Sequence, residues 1–599
     1  MYELAVAAPN APPTITSTPV TSGVVGQLYS YDVVGGRYEE LDYATTGSGG
    51  LEARAFLKAE WQDGLGESDA IRVALERLSI PVHVIVRPRG GDFCHSELEL
   101  EAMRRISNLA DIHFVWQKQM RGLGDAVHRA RFHVDDEPFL VLLGDTVIDA
   151  TGHVVAPGFI DIHAHGQNIG DYRMQAMQGV TTMLELESGI LPIGDWYDAQ
   201  SKKNLPINYG AAAAWTYGRI ATFTETPPEA TAKYFQDVQG RSDWKMDVAT
   251  PEQQAQILKY VEQGLDEGAI GIGINAGYAP GYGRKEYFAL AKLAAERDVA
   301  TFTHFRYASN MEPQSSFEAI QELIANSAIT GAHMHICHIN SSSLKDINDV
   351  LEMVNDAFEH DINITVGAYP WGAASTVIGA AMFSGEGWQE RMGSKPSNFQ
   401  LGTERMTEEQ VEDYQKNRPG TFIVWHFLDE SNPDDLALLD KSILHPRILI
   451  ESDEMFWMEM EKDGAVINYE GDAWPLPEDA FSHPRSNGTF AKVLRSYVRE
   501  RKLMTMSEAI RKMSLMPAQT LEGFVPQMKK KGRLQEGMDA DIVVFDPETI
   551  ADVGTYEKPN QPAVGVQTLL VNGVPVIEQS KLILDAGPGQ PIRRPVQGN

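Results

Sequence analysis

The sequence predicts an α/β protein whose main part is a parallel eight-stranded (β/α)8 TIM-like barrel. Apolar, strand-like runs alternate with helical patterns at the spacing of βα units, and eight such runs follow one another between residues 158 and 454. Polar residues collect where these runs end, which is where the active site of such a barrel lies. The chain has 599 residues, of which 43% are hydrophobic and 22% charged, so it is not a disordered or collagen-like protein.

The predicted strands are apolar and β-branched runs bounded by turn residues. In chain order they are GFIDIHAH (158–165), TTMLELES (181–188), INYGAAAA (207–214), AIGIGIN (269–275), VATFTHF (299–305), HMHICHI (333–339), INITVGAYP (362–370) and RILIESDE (447–454). Helical spacing is clearest in residues 250–268 (TPEQQAQILKYVEQGLDEG) and 283–298 (GRKEYFALAKLAAERD). We therefore expect strands and helices to alternate around the barrel.

The candidate functional residues stand at the ends of five predicted strands. They are imidazoles and carboxylates: His163 and His165 (strand one), Glu185 and Glu187 (strand two), His304 (strand five), His338 (strand six) and Asp453 (strand eight). Residues i and i+2 of a strand share a face, so the side chains of each pair point the same way. Neutral imidazoles and carboxylates that converge in one cavity suit a divalent metal. We predict one or two Zn²⁺ ions per chain, with other divalent metals as alternatives.

The composition limits the partners. A formal net charge of −32 would repel phosphate, so we expect neither nucleic acid nor an anionic membrane as a partner. Two cysteines exclude a disulfide framework. The opening residues MYELAVAAPNAPP lack a basic segment followed by an apolar one, so we expect a cytoplasmic protein without a signal peptide. A secreted or periplasmic origin and homo-oligomerisation stay open.

Residues 1–146 differ in sequence pattern from the rest of the chain and form an atypical N-terminal region. Residues 11–36 (APPTITSTPVTSGVVGQLYSYDVVGG) have strand-and-turn composition and resemble bacterial immunoglobulin-like surface modules; TTGSGG at 45–50 is a predicted linker. Residues 79–97 (SIPVHVIVRPRGGDFCHSE) resemble a segment of the copper-homeostasis barrel family. Residues 106–146 resemble part of a UTP–glucose-1-phosphate uridylyltransferase. Each resemblance covers a short piece of a larger family, and we assign these pieces no activity.

From residue 147 the chain resembles a known enzyme superfamily. The run VVAPGFIDIHAHG resembles the opening motif of the amidohydrolases, and GVTTMLELESG, FTHFR, HICHINSSS and HPRSNGTFAKVLRSYVRE resemble the N-acyl-D-amino-acid deacylase (D-aminoacylase) branch. The resemblance extends to about residue 575 and implies a barrel over 147–520. It also implies a small β-sandwich made from both chain ends, with its C-terminal strands and the tail in 521–599. The segment 375–445 is too long for an ordinary loop, and we predict a lid over the metal site.

The resemblance also assigns metal ligands. It implies that His163, His165 and Asp453 hold one metal and that His304 and His338 hold a second. Relatives bridge the two metals with a carboxylated lysine or with a cysteine after strand two, and this chain has neither at those places.

A glutamate of strand two is the expected substitute for that bridge, since one carboxylate can bind two metals. Glu187 is favoured over Glu185 because it lies nearer the end of the strand. Glu185 shares the same face and could serve instead, and an alignment by register would place Ser188 opposite the family cysteine.

The implied reaction is hydrolysis of N-acyl-D-amino acids, small-molecule substrates, by a metal-activated water. Asp453 would take the proton of that water and deliver it to the leaving amine. Arg306 lies two residues past His304 and offers a guanidinium to the substrate carboxylate. Three further candidates for substrate binding come from the resemblance or from strand ends: Tyr278, Asn340 and Tyr369.

Two alternatives to this function are kept. One is another amidase of the superfamily, of dihydroorotase or dipeptidase type; the absence of a lysine from AIGIGINAGYAPG weighs against it. The other is a non-catalytic surface or binding protein in which the immunoglobulin-like piece dominates. Metal-ligand residue types at five strand ends make the enzyme the preferred hypothesis.

Overall fold

The computed structural model describes residues 148, 150–462 and 464–596, together with the backbone of six short strands nearer the start of the chain. These strands pair two by two: Glu3–Ala5 with Thr14–Thr16, Tyr31–Asp32 with Gly36–Arg37, and Val82–Val84 with Ile112–Phe114. The rest of the N-terminal segments, including the predicted linker at 45–50, lies outside the described residues.

The chain divides into two compact units. One comprises Met1–Asp149 and Leu534–Ala540, and the other comprises Ala150–Arg533 and Asp541–Asn599. The second unit contains all the candidate functional residues.

A parallel eight-stranded sheet forms the centre of the second unit. Its strands are Phe159–Asp161, Val180–Ile190, Asn208–Ala214, Ile272–Asn275, Ala300–His304, His333–Ile336, Ile364–Ala368 and Ile448–Ile450. Each strand pairs in parallel with the next one along the chain. Each also lies within the corresponding predicted segment, except that the second strand begins one residue before its predicted start and extends two residues beyond its predicted end. The predicted barrel is therefore confirmed.

Backbone contacts beyond the strands close the barrel. The N–H of His165 donates to the carbonyl of Glu454 at 2.8 Å, and the N–H of Glu454 donates to the carbonyl of His163 at 3.3 Å. The segments that follow strand one and strand eight are thereby joined at the mouth. Candidate ligands from the two ends of the sheet become neighbours.

Helices alternate with the barrel strands and cover them. The longer helices are Ile169–Met177, Ile193–Gln200, Trp215–Thr224, Pro251–Asp266, Arg284–Glu296, Ser316–Thr330, Ile347–Glu359, Glu408–Asn417, Pro433–Leu444 and Arg485–Lys492, the last continuing as a π-helix over Val493–Glu500. Shorter α-helical and π-helical turns are Ala232–Asp237, Asp243–Met246, Ile339–Ser343, Trp388–Arg391, Met506–Ile510, Arg511–Leu515 and Met516–Leu521. Among the described residues, no helix has the length and apolar character needed to cross a bilayer.

The helix boundaries follow from local sequence. Thr250 caps the helix Pro251–Asp266: its hydroxyl accepts the N–H of Gln253, whose side chain in turn accepts the N–H of Thr250. The helix Ser316–Thr330 begins after Ser315 and ends at Gly331, which has a left-handed φ of 76°. The two helices predicted from spacing, over residues 250–268 and 283–298, are present as Pro251–Asp266 and Arg284–Glu296.

An insertion between strands seven and eight forms a separate antiparallel sheet. Its strands are Ala373–Val377, Phe422–His426, Phe399–Leu401 and Glu404–Arg405, in that spatial order. A hairpin of Met458–Met460 and Val466–Asn468 follows strand eight. Residues of both elements line the cavity described below.

A five-stranded antiparallel sheet joins the two ends of the second unit. Its order is Lys581–Leu582, Val574–Glu578, Val566–Val571, Ile542–Phe545 and Val154–Pro157. This sheet corresponds to the predicted β-sandwich part, with Val154–Pro157 as the N-terminal contribution. A buried ion pair anchors it, because Nζ of Lys531 lies 2.6 Å from Asp541, each side chain being 3% exposed.

Replacing Asp541 with Ala should lower the free energy of unfolding by about 3–5 kcal/mol, since a buried lysine charge would lose its carboxylate. Asp541 also accepts the N–H of Asn572 at 2.7 Å and a side-chain N–H of Asn208 at 3.1 Å. Urea unfolding would measure the change. Glu296→Ala, in a solvent-exposed pair with Lys292, is the matched control and should cost at most about 1 kcal/mol. Equal losses in the two variants would contradict the anchoring role.

Candidate metal centre at the barrel mouth

The barrel brings the candidate ligands together at the carboxyl ends of its strands. His304 is the last residue of strand five, and His338 and Asp453 follow strands six and eight directly. Strand two is long enough to carry Glu185 and Glu187 within it. All the predicted ligands except His165 are buried, and the His165 side chain is 11% exposed.

The carboxylate of Glu187 lies between two groups of imidazoles. Its Oε1 is 2.7 Å from Nε2 of His338 and 3.1 Å from Nδ1 of His304. Its Oε2 is 3.5 Å from Nε2 of His163 and 3.6 Å from Nε2 of His165. One oxygen therefore faces each group.

Asp453 completes the group on the side of strand one. Its Oδ1 lies 3.4 Å from Nε2 of His163 and 3.2 Å from Nε2 of His165. The other oxygen, Oδ2, lies 2.8 Å from Nη1 of Arg485, a guanidinium with no exposed side-chain surface. Sequence reasoning did not assign a role to Arg485, although it lies in the HPRSNGTF motif.

This arrangement fits a divalent metal. Both ring nitrogens of His163 are buried and make no hydrogen bond. His163 is a potential ligand in three groups: with Glu187 and His338, with His165 and Asp453, and with Cys337 and Glu451. Ligand atoms bound about 2.1 Å from a tetrahedral ion lie about 3.4 Å from each other, close to most of the separations seen here. Imidazole nitrogens and carboxylate oxygens are the ligands that zinc and similar ions take.

The surroundings keep both central carboxylates ionised. Burial opposes the charge on Glu187, but the imidazoles of His163, His304 and His338 outweigh it and hold the pKa of Glu187 well below its usual range. Burial also opposes the charge on Asp453, and the guanidinium of Arg485 is the main group that lowers the pKa of Asp453. Deprotonated carboxylates are the form that binds metal.

Two of the candidate ligands have unusual backbone conformations. His338 has φ of 32° and Asp453 has φ of 52°, in the left-handed region that residues with a Cβ rarely adopt. Such conformations cost on the order of 1–3 kcal/mol each and persist only where surrounding contacts impose them. Their presence at two strand ends of one cluster is typical of a functional site.

Glu185, the alternative bridge, lies outside the cluster. Its Oε2 is 2.8 Å from Nδ1 of His165, on the ring edge away from Asp453, and its Oε1 accepts the backbone N–H groups of Ser188 and Gly189 at 3.1 and 3.3 Å. The hydroxyl of Ser188 accepts a hydrogen bond from Asn275 at 3.0 Å. The geometry thus places Glu187 between the two imidazole groups and Glu185 behind one histidine.

Arg306 lies elsewhere than expected. Its Nε and Nη2 each donate to Glu322 at 2.8 Å, and Nη1 donates to the carbonyls of Pro280 and Tyr282 at 2.8 and 2.6 Å. It is not among the residues that line the cavity. This corrects the sequence-based expectation: the guanidinium that was assigned to a substrate carboxylate already binds a carboxylate of the protein.

The other predicted substrate residues divide into two kinds. Tyr278 lines the cavity; its ring centroid is 5.1 Å from that of His304 and its hydroxyl is 2.9 Å from Oγ1 of Thr376. Asn340 instead donates to the carbonyl of Tyr369 at 3.0 Å, so it ties strand six to strand seven. Tyr369 is fully buried, with the guanidinium of Arg485 4.8 Å from its ring centre.

The cluster opens into a cavity of about 1410 Å³. Its wall includes residues from the insertion between strands seven and eight, namely Ser375, Thr376, Thr421, Phe422 and Trp425. The hairpin after strand eight contributes Glu459, Val466, Ile467 and Asn468. The insertion overlaps the segment 375–445 for which the sequence predicted a lid, whereas the hairpin lies after that segment.

Two further comparisons match other families. A profile of the CutC family matches residues 49–142. The UTP–glucose-1-phosphate uridylyltransferase of Bacillus subtilis is 32% identical over 166 residues, which cover 27% of this chain and 46% of that protein. These matches agree with the two resemblances read from the sequence.

The rest of the chain matches one family. The N-acyl-D-glutamate deacylase of Alcaligenes xylosoxydans xylosoxydans is 25% identical over 482 residues, covering 73% of this chain and 86% of that protein. The D-aminoacylase of the same organism is 26% identical over 459 residues, covering 72% and 86%. The crystal structure of N-acyl-D-glutamate deacylase from Bordetella bronchiseptica, complexed with zinc and a phosphonate inhibitor, matches with a TM-score of 0.57. It is 23% identical, and the match covers 77% of this chain and 92% of that chain.

A profile of the amidohydrolase family matches residues 146–417 and 431–577, which include every barrel strand and every candidate ligand. The motifs, the barrel and the family match therefore agree, and the chain belongs to the amidohydrolase family.

Proposed function

We propose that the chain is a zinc-dependent deacylase that hydrolyses the amide bond of N-acyl-D-amino acids. The observation that carries this proposal is the position of Glu187, whose two carboxylate oxygens face two separate groups of imidazoles. The relatives named as D-aminoacylase and N-acyl-D-glutamate deacylase support the substrate class.

The proposed ligands form two groups that share one carboxylate. A metal bound in such a site acts as a Lewis acid toward a carbonyl and makes water a nucleophile near neutral pH. On one side the ligands would be His163, His165 and Asp453, and on the other His304 and His338, with Glu187 between them.

Asp453 is the proposed acid and base of the reaction. It is ionised in the resting site, so its Oδ1 can accept the proton of the attacking water and then deliver it to the leaving amine nitrogen. The contact of Oδ2 with Arg485 holds the carboxylate in one orientation, with Oδ1 facing the imidazoles. Oδ1 is therefore the oxygen atom that accepts the proton and delivers it.

Substrate binding is proposed for the cavity wall next to the cluster. Burial raises the pKa of Tyr278, so its phenol stays an O–H donor over the range in which enzymes work. A free substrate carboxylate needs a cation, and the wall carries Lys203 and Arg418 besides Lys233, which pairs with Asp237 at 2.6 Å. These residues take the place that sequence analysis gave to Arg306.

The alternative of a dihydroorotase-type or dipeptidase-type amidase is not favoured. The fourth barrel strand, Ile272–Asn275, has the sequence IGIN and carries no lysine that could be carboxylated into a bridge. The side chain of Asn275 instead donates to Oε2 of Glu187 at 3.3 Å and so supports the glutamate.

Replacing Glu187 with Ala should lower the zinc content from two ions to at most one per chain, because both groups would lose their shared carboxylate. Inductively coupled plasma mass spectrometry after dialysis against buffered zinc would measure the content. Glu229→Ala is the matched control, since this exposed residue lines the same cavity without touching the imidazoles. Two ions retained in Glu187→Ala would reject it as the bridge.

Replacing Asp453 with Asn should lower kcat for N-acyl-D-amino acids by about 10²–10⁴-fold, the usual contribution of a general acid and base. Amine release from a panel of N-acetyl-D-amino and N-acetyl-L-amino acids would measure it, with circular dichroism to verify folding. Asp195→Asn, an exposed carboxylate on the cavity wall, should keep full activity. Failure of the zinc-loaded native protein to release amine from either enantiomer would contradict the deacylase function.

A further inference from the structure

Glu451 and His335 are two ionisable side chains packed inside the barrel, and the proposed reaction uses neither of them. Both side chains are fully buried. Branched aliphatic residues dominate the interior of such barrels, as Ile160, Leu184 and Leu449 do here. A buried carboxylate is costly unless its partners are well placed, so its contacts indicate what it does.

The carboxylate of Glu451 makes its polar contacts with residues in or just after barrel strands six and one. Its Oε1 lies 3.3 Å from Nδ1 of His163 and accepts the backbone N–H of His338 at 2.5 Å. Its Oε2 lies 3.1 Å from Nε2 of His335. A single carboxylate therefore touches one proposed ligand from each of the two imidazole groups.

The neighbouring strand leaves space for this carboxylate. Gly367 lies in strand seven, and a Cβ built on it would be 2.2 Å from the carboxyl carbon of Glu451. Real Cβ atoms do not approach other atoms so closely, so a side chain at this position would push the carboxylate of Glu451 away from its present contacts. Glycine at this position is required for the buried glutamate to fit.

His335 is fixed in turn by a hydroxyl. Its Nδ1 lies 2.9 Å from Oγ1 of Thr365, which also lies 2.9 Å from Nε2 of His333. If Nε2 of His335 donates to Glu451, its Nδ1 must accept the single hydroxyl proton of Thr365. That order of donors leaves both oxygens of Glu451 as acceptors.

We propose that Glu451 is a positioning residue for the metal centre. Its Oε1, 3.3 Å from Nδ1 of His163, favours the tautomer that carries the proton on Nδ1, so that the lone pair of Nε2 faces Glu187 and Asp453. By accepting the N–H of His338 it holds the left-handed backbone that presents this second imidazole. This inference rests on the proposed metal centre.

Glu185 pairs with His165 in the same way, as a carboxylate that orients an imidazole ring, but it contacts only this one proposed ligand. Glu451 differs because it acts on both groups and lies on the inner side of the cluster, away from the cavity. Its loss should therefore affect metal binding more than substrate binding.

The test is zinc affinity of Glu451→Gln, measured by competition with a chromophoric chelator on metal-free protein. We expect the affinity to fall by about 10–100-fold while zinc stoichiometry stays at two, since the ligands remain but one ring is no longer oriented. The visible spectrum of the cobalt-substituted protein should change, and kcat should fall with KM altered less than twofold. Glu286→Gln is the matched control: it is equally buried and bonds Arg219 and Trp215 far from the imidazoles.

The outcomes separate this inference from the proposed function. Native protein that binds no zinc would overturn both. Native protein with two zinc ions, alongside Glu451→Gln with unchanged affinity and cobalt spectrum, would overturn the positioning role alone. If Glu451→Gln bound only one zinc ion, Glu451 would be a metal ligand and the inference would be rejected. If Glu451→Gln does not fold, His335→Gln is the second variant, because it removes the partner of Oε2. We expect it to weaken zinc binding by a smaller factor. Unchanged zinc binding in His335→Gln would then reject the positioning role of Glu451.

Discussion

The shared carboxylate of Glu187 is the interaction on which the centre depends. The two oxygens of a carboxylate lie about 2.2 Å apart. The imidazoles that face one oxygen and those that face the other therefore lie on opposite sides of a single carboxylate. The barrel achieves this by placing His163 and His165 before strand two and His304 and His338 across the mouth from them. The parallel order of the strands is what makes residues far apart in sequence neighbours here.

Buried carboxylates near the mouth fall into two electrostatic classes. Burial disfavours the charge on all of them, yet imidazoles or Arg485 outweigh burial for Glu187, Glu451 and Asp453 and lower their pKa values. Burial dominates for Asp171 and Glu454: it raises the pKa of Asp171 to about 7 and that of Glu454 well above its usual range, although Lys203 and His165, respectively, lower them. The carboxylates whose pKa is lowered are thus ones that contact the imidazoles of the proposed metal site or Arg485.

The sequence predicted the barrel and the ligand set because both follow from short-range patterns. Alternating apolar runs place strands, and a strand end places side chains such as His304 at the mouth. Arg306 shows the limit of this reasoning. Its spacing from His304 was correct, but the partner that binds its guanidinium, Glu322, lies on a helix whose packing no local pattern reveals.

Local sequence patterns also failed to identify some residues that contact the candidate site. Arg485 and Glu451 were visible as an arginine after a proline and a glutamate in an apolar strand. A buried charge in a strand should have raised the question of its partner, since such residues are rarely placed in a core without one. Their partners come from strands far away in sequence, so only the folded barrel identifies them.

The close packing of Gly367 against Glu451 also constrains how this protein can change over evolutionary time. Any residue other than glycine at position 367 collides with the carboxylate, so it becomes acceptable only after position 451 has lost its glutamate. The reverse pair of substitutions is equally restricted, because a glutamate fits at position 451 only if position 367 is already glycine. The two positions therefore form an epistatic pair, and lineages descended from a common ancestor should gain or lose the glycine and the glutamate together.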